Sequence, residues 1–123
     1  MTGTLCVVAG LAGFGIGAWL AATNGWGTPT VSATIVNDSG SPIERVHVEF
    51  ESCNLQGTAI VGRLNVGDRR TVQYSLCGEG GYVIDVLFAD GRSLRSGGGY
   101  VEHGYRTVDV VQRERIDSRQ STY

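Results

Sequence analysis

The stretch RVHVEFE, residues 45–51, is the clearest structural signal in the chain. Val46, Val48 and Phe50 alternate with charged or polar neighbours, so that an apolar side chain recurs at every second position. Successive side chains of a β-strand point to opposite faces, and this period of two places the three apolar residues on one face. The stretch therefore predicts a strand with one buried and one solvated face.

Similar stretches follow one another along the chain and are separated by clusters of turn-forming residues. The predicted strands cover residues 31–35, 46–50, 59–66, 72–76, 82–88, a short return around Leu94, 100–102 and 105–111. Seven or eight short strands at this spacing indicate an all-β domain. We expect residues 31–112 to form an antiparallel β-sandwich, Ig-like in type, or a small barrel. Residues 113–123 are expected to form a polar, flexible tail.

Three local features interrupt the regular pattern. Ile43 is out of phase with the strand that follows, which predicts a β-bulge near Glu44. The glycines at 97–99 are expected to break the strand after Leu94. Asp85 is the one carboxylate in the apolar stretch 82–88, and burial would raise its pKa unless it were paired, so we expect an arginine partner for it.

The N-terminal part of the chain differs from the rest, because residues 4–22 contain no charged side chain. A helix of this length rises about 29 Å, which is close to the thickness of a bilayer core. Trp19 and Trp26 lie near its end, where indoles favour the membrane interface. We predict a transmembrane helix acting as a signal anchor at residues 1–23 and a linker at residues 24–30.

Two alternatives exist for this segment. A cleaved signal peptide would have a basic start and small residues at the cleavage site, whereas Met1–Gly3 carries no basic side chain and the best site is at Leu20–Ala22. A buried helix of a soluble protein is the second alternative. We favour the retained anchor. No Lys or Arg flanks the segment closely, so the positive-inside rule does not orient it.

Small residues are regularly spaced within the predicted helix. Ala9, Gly13, Gly17 and Ala21 recur at intervals of four and would form one shallow groove. Helices associate in lipid through close packing of this kind. We therefore predict that the helix pairs with a copy of itself or with another membrane protein, although small residues are also frequent in membrane helices generally.

Two of the three cysteines, Cys53 and Cys77, lie in the polar domain, and each follows a predicted strand. If those strands run in the same direction, both residues lie at one end of the domain, so we predict a disulfide between them. Disulfides persist in oxidising compartments, and the bond would therefore favour an extracytoplasmic domain, periplasmic or extracellular. Cys6 lies in the apolar run and is expected to be inert.

Few residues point to chemistry. His47 shares a strand face with Glu49 and Glu51, which suggests a metal or acid–base cluster, but a solvated strand face explains the pattern better. His103 lies in a predicted turn. We predict no catalytic residue, no cofactor and no metal. Tyrosines make good contacts on loops, so Gly98, Tyr100 and Tyr105 are the predicted partner-binding loop.

The charge balance excludes a bulk basic surface for nucleic acid, because 12 acidic residues outnumber 10 basic ones. We predict a single-pass membrane protein whose β-domain is a non-catalytic protein-binding module or an accessory subunit of a membrane complex. One alternative is a secreted or periplasmic inhibitor- or immunity-type protein with a cleaved signal peptide. A small hydrolase that uses His47 or His103 is the other.

Overall fold

Two four-stranded sheets make up the part of the chain that this computed structural model describes, residues 30–122. Their strands are β1 (Thr30–Asn37), β2 (Ile43–Ser52), β3 (Leu55–Val61), β4 (Arg69–Ser75), β5 (Gly80–Phe88), β6 (Ser93–Val101), β7 (Tyr105–Val111) and β8 (Ile116–Thr122). Sheet 1 has the order β4-β1-β7-β8, and sheet 2 has the order β3-β2-β5-β6. The prediction of an all-β sandwich is confirmed.

No helix that could span a membrane occurs among residues 30–122. The predicted transmembrane helix at residues 1–23 lies outside the described residues, as does most of the linker at 24–30. All strand pairs are antiparallel except β1 and β7, which run parallel.

The core lies between the sheets and is built from alternate positions of the strands, as the period of two predicts. In β2, Val46 and Val48 are completely buried, and Phe50 stacks on Tyr74 of the opposite sheet with ring centroids 4.4 Å apart. The other fully buried apolar side chains come from both sheets and from the loop between β3 and β4: Val31, Ala33, Ile35, Ile43, Val61, Leu64, Ile84, Val86, Phe88, Val101 and Val111.

The bulge predicted near Glu44 is confirmed. The pairing of β2 with β5 shifts register between Ile43 and Arg45. The extra residue returns Ile43 to the core side, where it pairs with Leu64 through an isolated bridge.

The third strand begins earlier than residue 59, the predicted start. Cys53 and Asn54 have positive φ values of 52° and 60°, and they form a two-residue turn that starts the return strand at Leu55. This conformation is typical of a type I′ hairpin, in which glycine and asparagine are the usual residues. The cysteine at the first position concealed the turn from sequence reasoning.

The glycines at 97–99 do not break β6, contrary to the prediction. Between the pairs Tyr82–Gly99 and Ile84–Ser96, β5 advances by two residues and β6 by three, so a bulge takes up the additional residue. A Cβ atom at Gly99 would collide with the side chains of Gln120 and Tyr82. The glycine run thus permits the bulge and the close approach of β8.

The prediction of a flexible tail at residues 113–123 is also wrong, because Ile116–Thr122 pairs along its whole length with β7. Ile116 packs against the core, whereas Ser118 donates a hydrogen bond to the buried Asp109. The inward positions of β8 are therefore mostly polar, and this is why the strand lacks an apolar alternation.

The disulfide between Cys53 and Cys77 is confirmed, with Cα atoms 6.2 Å apart. Both cysteines lie at one end of the domain, as predicted, and they connect different sheets. Cys53 lies in the β2–β3 turn of sheet 2, and Cys77 follows β4 of sheet 1. The bond therefore ties the two sheets together at one end of the domain.

Reduction of this disulfide is expected to lower the free energy of unfolding by about 3 kcal/mol, because it removes a loop constraint from the unfolded chain. Urea unfolding with and without a reductant measures the change. The double variant Cys53→Ser/Cys77→Ser is the control and should not respond to reductant. An unchanged urea midpoint for the reduced native chain would contradict the expectation.

Substitution of Gly57 by alanine is expected to destabilise the domain by about 1–3 kcal/mol, because the added methyl would collide with the Phe50 ring. Gly62→Ala is the matched control, since its Cβ meets only the end of the Arg70 side chain at 3.7 Å. Urea unfolding of both variants compares the two positions. Equal stabilities would show that the ring moves aside freely.

Candidate functional site

An open groove of about 1050 Å³ crosses the outer face of sheet 2 at the disulfide end. Its lining consists of residues 49–54, 56–58, 79–83, 95, 99 and 100; we call it the outer groove. Its floor is low because Gly81, which has no side chain, stands between Glu51 of β2 and Tyr100 of β6 in the same row of the sheet.

One arginine organises the charges beside the outer groove. Arg95 of β6 reaches across β5 and donates from Nη2 to Oε2 of Glu49 at 2.6 Å. Its Nη1 donates to Oδ2 of Asp85, its neighbour on β5, at 3.2 Å. The hydrogen bond from Arg95 lowers the pKa of Glu49. All three side chains remain accessible to water, so the network contributes little stability and mainly fixes the position of the arginine.

The arginine partner predicted for Asp85 is therefore present. The side chain of Asp85 is nevertheless not buried, because 40% of it is exposed on the outer face. The strand β5 lies in the middle of sheet 2, and its inward positions are buried. The outer face of a central strand in a two-layer sandwich faces solvent, and a carboxylate is tolerated there.

Two tyrosines of the predicted partner-binding loop are in contact. Tyr100 and Tyr105 meet edge to face, with ring centroids 6.0 Å apart. They and Gly98 lie in strands rather than in a loop, since Gly98 and Tyr100 belong to β6 and Tyr105 begins β7. A role in binding a partner stays a prediction for all three.

Tyr100 is the aromatic wall of the outer groove, and 48% of its surface is exposed. Its hydroxyl donates to Oε2 of Glu102 at 3.2 Å. Partial desolvation, with the negative charges of Glu102 and Glu79, raises the pKa of Tyr100 to about 12. The phenol is consequently neutral at physiological pH and presents an apolar ring with a hydrogen-bonding tip.

The histidines lie apart from each other. His47 is in β2 beside Asp85 of β5, on the same outer face as Glu49 and Glu51, and His103 lies in the turn between β6 and β7. Residues 30–122 contain no group of three His, Cys, Asp or Glu side chains placed to hold a metal ion. The helix-packing residues predicted at positions 9, 13, 17 and 21 lie outside the described part of the chain.

A buried polar cluster was missed by sequence reasoning. Asp109 of β7 points between the sheets and is completely buried. Its Oδ1 accepts hydrogen bonds from the Ser118 hydroxyl at 2.5 Å and from the Tyr82 hydroxyl at 3.1 Å. Its Oδ2 and the nearby Thr107 Oγ1 are buried and have no hydrogen bond within residues 30–122. The one sequence signal for this burial is the alternation in β7: Thr107, Asp109 and Val111 share a face, and Val111 marks that face as the inward one.

Burial raises the pKa of Asp109 above that of a solvated carboxyl, and the hydroxyls of Ser118 and Tyr82 oppose this effect only in part. Burial likewise raises the pKa of Tyr82, and the neighbouring Asp109 adds to the effect. Protonation would give Oδ2 a proton to donate. The cluster is enclosed between the sheets, so it acts on stability and is not a surface for binding.

Replacement of Asp109 by asparagine is expected to stabilise the domain at pH 7 by about 1–3 kcal/mol, because a neutral amide replaces a carboxyl whose charged form is disfavoured by burial. The amide keeps an acceptor for Tyr82 and Ser118. The folded-state pKa of Asp109 is raised, so the protonated carboxyl favours folding. This contribution to the free energy of unfolding is complete below the unfolded-state pKa and is lost as pH rises through the folded-state pKa. The advantage of the variant therefore shrinks as pH falls.

Thermal or urea unfolding between acid and neutral pH measures this effect. Asp117→Asn is the matched control, because Asp117 lies on the same β7–β8 pair but its side chain is 44% exposed and contacts Arg115. An Asp109→Asn protein that is less stable than the native chain at pH 7 would contradict the assignment.

Comparison with known proteins gives no match, either to a protein-family model or to a curated protein. The outer groove, the disulfide between the sheets and the apolar N-terminal stretch are the observations on which a function can be proposed.

Proposed function

We propose that the protein is a membrane-anchored, extracytoplasmic β-sandwich that serves as a non-catalytic binding module or an accessory subunit of a membrane complex. The single observation that carries this proposal is the Cys53–Cys77 disulfide. A bond between exposed turns would be reduced in a typical cytosol, and it persists in oxidising compartments. The disulfide thus supports a location outside the cytoplasm.

The sequence at residues 4–22 supports attachment to a membrane. It is uncharged and long enough to cross a bilayer core of about 30 Å as a helix. Since the β-domain begins at Thr30, only a short linker would separate it from the lipid surface. The outer groove would then lie within reach of other proteins in the same membrane.

Binding is favoured over catalysis by the character of the outer groove. It is open, and Arg95, the basic side chain of its lining, is already engaged by Glu49 and Asp85. Tyr100 offers a rigid aromatic ring with a polar tip, which is typical of protein-contact surfaces. A protein partner can bind to a surface of this kind through shape and hydrogen bonding, without any catalytic group.

The first test is the state of the chain in cells. Intact-mass measurement of protein extracted from membranes with mild detergent should show the N-terminal segment retained and the Cys53–Cys77 bond oxidised. A mature protein that begins near Thr23 and is released without detergent would favour the secreted inhibitor- or immunity-type alternative. If an alkylating reagent added to intact cells modified Cys53 and Cys77, both would be free thiols, and this would contradict an extracytoplasmic location.

The second test concerns helix packing. Gly13→Leu and Gly17→Leu should lower the yield of any stoichiometric membrane partner or self-associated form, because they fill the groove of small residues. Gly15→Leu is the matched control, since two positions along a helix turn the side chain to another face. Equal effects of the three substitutions would contradict the packing role of this face.

The hydrolase alternative has its own test. Hydrolytic activity that is lost on substitution of His47 or His103 would favour that alternative.

A further inference from the structure

The four edge strands of the sandwich differ in how they are protected. An exposed sheet edge offers unpaired backbone groups, and proteins commonly guard such edges with charged side chains. Arg69 and Arg70 lie on β4, Arg95 on β6, and Asp117 and Arg119 on β8. The remaining edge strand, β3 (LQGTAIV), has neither a charged residue nor a proline.

The geometry of the hairpin defines which backbone groups of β3 face outward. In a two-residue hairpin the closing pair, here Ser52 and Leu55, exchanges both hydrogen bonds. Pairing with β2 then continues at every second residue, so the N–H and C=O groups of Gln56, Thr58 and Ile60 point away from the sheet. No hydrogen bond from another part of residues 30–122 reaches them.

The same edge strand also exposes large apolar side chains. Leu55 is 70% exposed and Ile60 is 65% exposed, the two highest values among the large exposed apolar side chains of residues 30–122. A strand laid along β3 would cover both of them. Backbone hydrogen bonds would supply affinity, and alternate side chains would supply specificity.

We propose that β3 accepts an extended antiparallel segment of a partner protein, with a basic residue opposite Gln56 and apolar residues opposite Leu55 and Ile60. The segment would become a fifth strand of sheet 2. This inference rests on the proposed role of the domain as a protein-binding module, and it names the binding surface and the chemistry of the partner.

The basic residue follows from the charges of the neighbouring strand. Glu51 lies next to Gln56 in the same row and, unlike Glu49, forms no ion pair within the described residues. Arg95 already shows that an arginine on this face can reach across one strand to a carboxylate on the next. An arginine on the added strand would reach across β3 to Glu51 in the same way.

A second copy of the chain fits this edge less well. Antiparallel pairing of two β3 strands would place a twofold axis perpendicular to the sheet. The two Thr30 ends would then leave in opposite directions along the strands, whereas two helices anchored in one membrane leave on the same side. In addition, each copy would bring an uncharged strand to Glu51.

The test uses a synthetic probe and the full chain in detergent micelles. The peptide Thr-Val-Ser-Thr-Thr-Arg-Val, aligned antiparallel, sets Val opposite Ile60, Arg opposite Gln56 and the last Val opposite Leu55. At a concentration about ten times its Kd, it should slow amide hydrogen exchange about tenfold at Gln56, Thr58 and Ile60. The amides of Leu55, Gly57 and Ala59, which already pair with β2, should change little.

Matched peptides and variants distinguish strand addition at β3 from nonspecific binding of the peptide to the protein surface. N-methylation of the central Thr, whose N–H faces β3, should abolish binding, whereas N-methylation of the neighbouring Ser should not. Replacing the peptide Arg by Glu, or Glu51→Gln in the protein, should weaken binding about threefold to tenfold. Thr58→Pro should abolish binding and Thr58→Val should preserve it. Glu114→Gln, in the turn between β7 and β8 of the other sheet, is the charge control.

Three outcomes would overturn the inference. Unslowed exchange at the three outward amides with saturating peptide would show that the edge does not accept a strand. Protection that rises with protein concentration alone would assign the edge to a second copy. Protection already present in the monomeric chain would assign it to the chain's own residues. None of these measurements depends on location in the cell, so failure of the proposed function would be recognised separately.

Discussion

The burial of alternate side chains from β1, β2 and β5 between two sheets is the constraint on which the rest of the structure depends. These strands lie in the interior of their sheets, and their inward positions are occupied by Val31, Ile35, Val46, Val48 and other fully buried residues. Because the side-chain period of a strand is two, a shift of one residue would expose the whole set. The bulge at Ile43 and the bulge in β6 preserve this phase where the chain would otherwise lose it.

The β8 edge of sheet 1 is held mainly by polar contacts inside the sandwich, with Ile116 as its apolar contact to the core. Asp109 stands inside the sandwich, and the hydroxyls of Tyr82 and Ser118 satisfy one of its oxygens from opposite sheets. This contact gives β8 a specific partner although the strand has few apolar residues. The arrangement links the last strand of the chain to β5 in the other sheet, at the energetic cost of a buried carboxyl.

The outer face of sheet 2 separates two kinds of surface. Near its centre, Arg95 joins Glu49 and Asp85 into a charged network that is occupied and hydrated. Toward β3, Glu51 is the last charged side chain, and it lacks an ion pair within the described residues. Beyond it lies the uncharged edge strand β3 with its exposed Leu55 and Ile60. The disulfide fixes the turn from which that edge starts, so the edge is presented on a rigid hairpin.

The sequence by itself determined the fold class, the strands around residues 31–35, 46–50, 72–76, 82–88 and 105–111, the bulge near Glu44 and the Cys53–Cys77 pair, because these features are written in local periodicity and in a small number of cysteines. Only the tertiary structure decided the start of β3, the continuity of β6 through its glycines, the pairing of β8 and the burial of Asp109. These depend on contacts between residues distant in the chain. The inward row of β8 is polar because its partners are a buried carboxylate and a glycine, and no local pattern of β8 carries that information.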